Sequence, residues 1–186
     1  MKEATSKASK TMLATPINIW LPAHVKELEV NDIAKKNGYD KKVFNVFFKI
    51  APEAEKIVFK KVLFEDGKRV ETDEQINGKY LAGRVVKSKG LFFTFEPKEE
   101  DSWMNMNYAG FFGELGVQFE EDGDDLLIGE VEEKDVLGKG CMIKIEEEPY
   151  KKDGVPKTAL KVVTVMSTDK LKDLKPGDMI DDDLPF

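Results

Sequence analysis

Val43-Phe44-Asn45-Val46-Phe47-Phe48-Lys49-Ile50 decides the fold class. Phe44, Val46, Phe48 and Ile50 alternate with Asn45, Phe47 and Lys49 at period two. A β-strand buries the first set and leaves the second in water, because successive side chains point to opposite faces. Working outward, Pro16 to Leu21 places Ile17, Ile19 and Leu21 on one face and Trp20 on the other. Residues 22–38 follow neither helical nor strand period as far as the Asn37-Gly38 turn signal. Downstream, Ile57 to Phe64 reads as a strand ending at Asp66-Gly67, a strong turn pair. Tyr80–Val86 and Leu91–Glu96 read as two more, joined by Lys87-Ser88-Lys89-Gly90 as a hairpin. Strand signals resume at Leu126–Val131, Gly140–Glu146 and Ala159–Met166, with Pro149–Gly154 as the tip joining the last two.

One segment breaks the pattern. Between Asn105 and Gly116, Met106, Ala109, Gly110, Phe112 and Gly113 recur at helical spacing, although each interior glycine costs about 1 kcal/mol relative to alanine. About seven short strands with one helix before the final pair predict an all-β protein with small α content. An OB-fold-like five-stranded β-barrel with extra strands has this layout, with its helix between the earlier and final strands. A β-sandwich has the same strand count. The expected organisation is a flexible basic arm over residues 1–14, a folded body over 15–166, and a flexible linker and acidic tip over 167–186.

The 186 residues are 41% hydrophobic and 35% charged, which suits one soluble globular domain with tails. No stretch approaches the ~20 apolar residues of a membrane span, and the N-terminal residues lack a signal-peptide apolar core. Cys141 is the single cysteine and His24 the single histidine, which leaves too few ligands for a zinc site of His and Cys. A lone cysteine fits a reducing cytoplasm. The net charge of −7 divides unevenly: residues 1–98 carry 19 Lys/Arg against 13 Asp/Glu, and residues 99–186 carry 10 against 23. A basic binding face with an acidic end gives such an asymmetry.

The acidic end is specific in its chemistry. Asp181, Asp182 and Asp183 repel one another and favour an extended chain; Pro185 biases Leu184 the same way; Phe186 adds a ring and a carboxylate. A pocket with apolar walls and a basic lip would capture this segment. The six residues resemble the acidic tip of the single-stranded DNA-binding proteins (SSBs) of bacteria and their phages. The short linker and large body fit the phage type better than the bacterial one, which puts the bacterial tetramer in doubt and leaves a homo-oligomer as a possibility. The resemblance implies a non-catalytic, cofactor-independent protein that binds single-stranded DNA in the cytoplasm, of the host cell if phage-encoded. It also implies recruitment of replication or recombination partners through the tip: a polymerase, helicase, primase or nuclease.

Such a protein needs aromatic faces on which bases stack and cations that follow phosphates. Phe47 is the first candidate stacker, because Asn45 and Lys49 share its face. Phe92, Trp103, Tyr108 and Trp20 follow. The candidate phosphate contacts are Lys49, Lys60, Lys61, Arg84, Lys87 and Lys89. A 20-residue tail spans roughly 25 Å as a coil, enough for the tip to return to a basic groove on its own body. The acidic loop Glu120–Asp125 fails the EF-hand pattern, with Gln118 and Gly129 where ligands are required. Neither a phosphate-binding loop nor a nucleophile motif is present, and Cys141 sits in an apolar strand pattern. An interaction adaptor that docks on tip-binding pockets without binding DNA is the alternative; an enzyme of nucleotide metabolism would need clustered titratable groups that the sequence does not offer.

Overall fold

A computed structural model describes residues 12–33, 41–99 and 102–169. The chain opens with β1 (Met12–Leu13), which pairs antiparallel with Phe64 and Leu63. The end of the expected arm is therefore tied down, and residues 1–11 lie outside the described residues. Next comes β2 (Trp20–Ile33), the stretch that followed no period in the sequence. A register shift between Val25 and Glu27 explains why: Leu21, Ala23 and Val25 face inward at spacing two, and the next inward residue is Leu28, three further on. One extra residue resets the alternation.

The deciding segment forms β3 (Lys41–Ile50), with Phe44, Val46, Phe48 and Ile50 all buried. A 3₁₀ turn over Pro52–Lys56 leads to β4 (Val58–Glu65), then to Asp66 and Gly67, both at positive φ, and to β5 (Lys68–Asn77). That last strand was not anticipated, because Lys68, Glu71, Asp73, Glu74 and Gln75 give it no apolar face to reveal a period. The strand expected over Tyr80–Val86 is mostly a 3₁₀ turn, Gly78–Leu81, followed by the short β6 (Val85–Lys87). β7 (Leu91–Thr94) completes the hairpin.

Helix α1 (Ser102–Glu114) starts before the expected Asn105 and buries Met104, Asn105, Tyr108, Ala109 and Phe112. Leu126–Val131 was expected as one strand. Instead β8 (Glu120–Asp122) and β9 (Asp125–Leu127) form a small ribbon, and the chain then enters a second helix, α2 (Glu133–Val136). β10 (Gly140–Lys152) and β11 (Val155–Ser167) make the longest hairpin. Its tip is tighter than the sequence suggested: Pro149 and Tyr150 remain paired with Thr158 and Lys157, and the turn is at Asp153 and Gly154, both at positive φ. The linker expected from residue 167 begins inside β11, and residues 170–186 lie outside the described residues.

The main sheet runs β11-β10-β2-β3-β6, with β7 also on β3 and every ladder antiparallel. β1-β4-β5 and β8-β9 form two smaller sheets. The class is all-β with little helix. The expected closed barrel is not formed, since β11 and the β6 end of the sheet meet only at a parallel bridge between Ser88 and Val162, where Lys89 N–H donates to the Val162 carbonyl at 2.9 Å. The core lies on the inner face of β3 under α1. The Phe44 ring is 5.0 Å from that of Tyr108, which is 4.8 Å from Phe112 and 4.9 Å from Phe93. These are favourable offset and edge contacts. The Tyr108 hydroxyl accepts from Val131 N–H at 2.7 Å and donates to the Gly129 carbonyl at 3.3 Å. Burial pushes its pKa up.

Ser88 is buried and its Oγ accepts from Val46 N–H at 2.9 Å, while its own N–H donates to the Val46 carbonyl at 2.7 Å. Ser88→Ala leaves the Val46 N–H without that partner and should cost about 1–3 kcal/mol in denaturant unfolding. Gly110→Ala should act in the opposite direction. A Cβ there meets nothing within 4 Å, so unfolding should show a gain of about 0.5–1 kcal/mol.

Candidate nucleic-acid interface

The face of β3 turned away from the core carries Asn45, Phe47 and Lys49, but only Lys49 is left in water as expected: neighbouring side chains bury Asn45 and half-bury Phe47. Antiparallel register fixes what stands beside each. Phe47 lies opposite Glu27 of β2 and Lys87 of β6; Asn45 lies opposite Glu29; Val43 lies opposite Phe92 of β7. Side chains paired across neighbouring strands share a face, so these residues form one patch. The hairpin from β6 to β7 reaches it through Gly90. A Cβ at that position would stand 2.9 Å from Val43 Cγ2, closer than real side chains tolerate.

The patch combines a ring and a cation. Lys87 Nζ sits 5.3 Å from the Phe47 ring centroid and 3.1 Å from Glu29 Oε2. Asn45 Nδ2 donates to the same oxygen at 3.2 Å. The hydrogen bond from Lys87 and its charge hold the Glu29 carboxyl below its ordinary pKa, with Asn45 and Asn31 adding to the effect. Phe47 is half-buried, Phe92 is 39% exposed, and Lys49 projects into solvent. Lys89 stands on the hairpin, with Nζ 3.9 Å from Glu148. Five of the sequence candidates, Phe47, Lys49, Lys87, Lys89 and Phe92, are thus gathered on and beside one sheet face.

The remaining candidates lie elsewhere. Trp20 is 1% exposed, with Lys144 Nζ 5.1 Å from its ring. Its expected outward position came from counting period two across residues 17–21. The strand begins only at Trp20, after Asn18 at φ 59°, and both Trp20 and Leu21 are buried. Tyr108 is wholly buried, because it shares the core-facing side of α1 with Asn105, Ala109 and Phe112 at helical spacing and packs on Phe44. Neither ring presents a face for stacking. Trp103 is exposed in the first turn of α1. Lys60 and Lys61 lie on the β4–β5 ribbon, paired with Glu71 at 3.3 Å and Glu74 at 2.8 Å. Arg84 donates to Thr15 Oγ1 at 2.8 Å and lies 5.2 Å from the Tyr80 ring, which ties the 14–19 segment to the body. The tip residues Asp181, Asp182, Asp183, Leu184, Pro185 and Phe186 lie outside the described residues.

Sequence reasoning missed Glu29 and the exposed Phe95, whose ring is 4.9 Å from Phe93. The β2 bulge hid the position of Glu29, whereas simple alternation with Phe93 argued for a buried Phe95. Burial pushes the Cys141 thiol up to about 12, so it is protonated at neutral pH and a poor nucleophile. Among the described residues, no group of three or more His, Cys, Asp or Glu is arranged to hold a metal, and no helix is long and apolar enough to cross a membrane. The comparisons found no matching protein-family model and no matching curated protein.

The Glu29–Lys87 pair fixes a pH dependence. A carboxyl with a depressed pKa keeps its ion pair where an ordinary glutamate has begun to protonate, and loses it only as pH falls further. An NMR titration should place the Glu29 midpoint below those of other glutamates. In Lys87→Met the midpoint should rise toward the ordinary value.

Proposed function

We propose that the protein binds single-stranded DNA without catalysis, through the outer face built from β3, β6 and β7. The observation that carries this reading is the Phe47–Lys87 pair flanked by Phe92, Lys49 and Lys89. A base stacked on an exposed ring gains ~1–3 kcal/mol with little sequence preference, and lysines beside the ring meet the phosphates between bases. Strand connectivity supports the reading. β2, β3, the β6–β7 pair, β10 and β11 follow in the order of a five-stranded OB body, with α1 after the third and the Ser88–Val162 bridge at the seam. In OB-folds the face of the second and third strands takes oligonucleotides, and here those correspond to β3 and β6–β7. The β1-β4-β5 sheet is then an addition to that body.

The Asp181–Phe186 motif supports a second part of the reading: a phage-type SSB role in DNA replication, recombination and repair, with partner proteins recruited through the acidic tip. Stacking and phosphate contact need no chemical step, so the working cycle is equilibrium binding that holds single strands open and protected. One observation favours the adaptor alternative. Glu29 already neutralises Lys87, which weakens the pull of the patch on phosphate.

Fluorescence titration with oligo-dT and with matching duplex, at low and moderate salt, tests both readings. Preferential oligo-dT binding is expected, with log affinity falling against log salt by about 0.7 for each phosphate contact. Phe47→Ala should weaken oligo-dT binding by about 1–3 kcal/mol, while Lys60→Ala with Lys61→Ala should leave it nearly unchanged. Glu29→Gln should tighten it at low salt. Failure of the intact protein to bind oligo-dT would leave the adaptor.

A further inference from the structure

Away from the Phe47 face, the segment before β2 and one face of the β4–β5 ribbon enclose an open groove of about 860 Å³. Ile17, Ile19, Ile57 and Val62 line its apolar part. Lys56, Lys60 and Arg69 stand around it, with Glu71 paired to Lys60 and Glu147 to Arg69, so the edge keeps a net positive charge. The groove is held open by polar ties. Ala14 N–H donates to the Val62 carbonyl at 2.9 Å, Tyr80 Oη donates to the Ala14 carbonyl at 2.7 Å, and Arg69 reaches the Thr15 carbonyl and Glu147. A concave apolar surface of this size with a few polar groups at its edge has the anatomy of a ligand site.

We propose that the groove receives the Leu184-Pro185-Phe186 segment of this same chain, with Asp181–Asp183 against the Lys56, Lys60 and Arg69 edge. Four stretches of the chain lie outside the described residues; Glu100-Asp101 has no apolar side chain to fill the groove, and charge selects among the other three. Residues 1–11 carry Lys2, Lys7 and Lys10 against Glu3, the same sign as the groove edge. Residues 34–40 join Ile33 to Lys41, which face each other across the β2–β3 ladder, and carry Lys35 and Lys36 against Asp40. Only residues 170–186 place three carboxylates directly before three apolar side chains.

The reach is sufficient. Ser167 lies opposite Cys141, and Cys141 lies opposite Ala23, so two strand spacings separate the end of β11 from β2. With four residues back to Ile19, the distance to the groove is roughly 16 Å. The 15 residues from Asp169 to Leu184 extend to about 50 Å. Tethering raises the local concentration of the segment to the millimolar range, so an intrinsic affinity near 1 mM keeps the groove about half filled. The groove shares no residue with the Phe47 patch, so DNA can bind without emptying it. A partner that takes the tip competes with the groove rather than with DNA. The inference does not depend on DNA binding.

The test compares amide NMR spectra of the full chain and its Phe186→Ala variant, which leaves the folded body intact. Shift changes should cluster at Ile17, Ile19, Lys56–Val62 and Arg69, and should not vary with protein concentration. Adding the peptide Asp-Asp-Asp-Leu-Pro-Phe to the Phe186→Ala protein should restore the original shifts. Lys56→Glu with Lys60→Glu, both on the solvent side, should weaken that peptide binding at least tenfold. Changes confined to the substituted segment, changes on the Phe47–Lys87 face, or changes that appear only at high protein concentration would each overturn the proposal. The last would mark exchange between copies.

Discussion

β3 is hydrogen-bonded along both edges, to β2 on one side and to β6 and β7 on the other, and this double pairing constrains the rest of the body. Its inner residues Phe44, Val46, Phe48 and Ile50 give the aromatic cluster of α1 a floor. Its outer residues occupy the middle of the candidate binding face. A slip of one residue would exchange the two sets, sending Phe47 and Lys49 into the core. Core burial and surface chemistry are therefore specified by one register, and a change that loosens one disturbs the other.

Helix α1 completes the core with a polar tie as well as rings. The Asn105 side chain accepts from Thr94 N–H at 3.0 Å and donates to the Thr94 carbonyl at 2.8 Å, which stitches the helix to the end of β7. The Tyr108 hydroxyl satisfies the backbone at residues 129 and 131. Buried polar groups are costly when unpaired and directional when paired. These two side chains fix where α1 sits over the sheet, which packing alone would leave less determined. The acidic segment between β8 and α2 is anchored by the same hydroxyl.

Much of this was legible in the sequence. The period of 43–50 identified β3 and the outward position of Phe47, and the 87–90 hairpin signal brought Lys87, Lys89 and Phe92 into one argument. What failed did so for local physical reasons. A bulge within β2 and a left-handed Asn18 before it upset residue counting, which hid the partners of Glu29 and misdirected Trp20. β5 has no apolar face because its ribbon packs lightly, so no periodicity could mark it. Tyr108 looked surface-placed because the buried face of the helix was read through Met106, which is exposed, rather than through Asn105, Tyr108 and Phe112. Lys60, Lys61 and Arg84 were correct in charge but belong to another sheet and a different set of ties, and sequence alone does not say which cations converge.

The Ser88–Val162 bridge joins residues 74 positions apart in the chain, while the hairpins on either side of it join near neighbours. Contacts between distant residues require the intervening chain to be ordered first, because closing a long loop costs entropy before any pairing repays it. The β10–β11 hairpin, β2–β3 and α1 can each organise around local pairing. The β2–β10 ladder spans a still longer loop, Gly140 to His24, but holds five residue pairs where the seam is one bridge. A sheet fastened by full ladders along most of its length and pinned by a single bridge at one place has its weakest line there, where the β6 end meets β11.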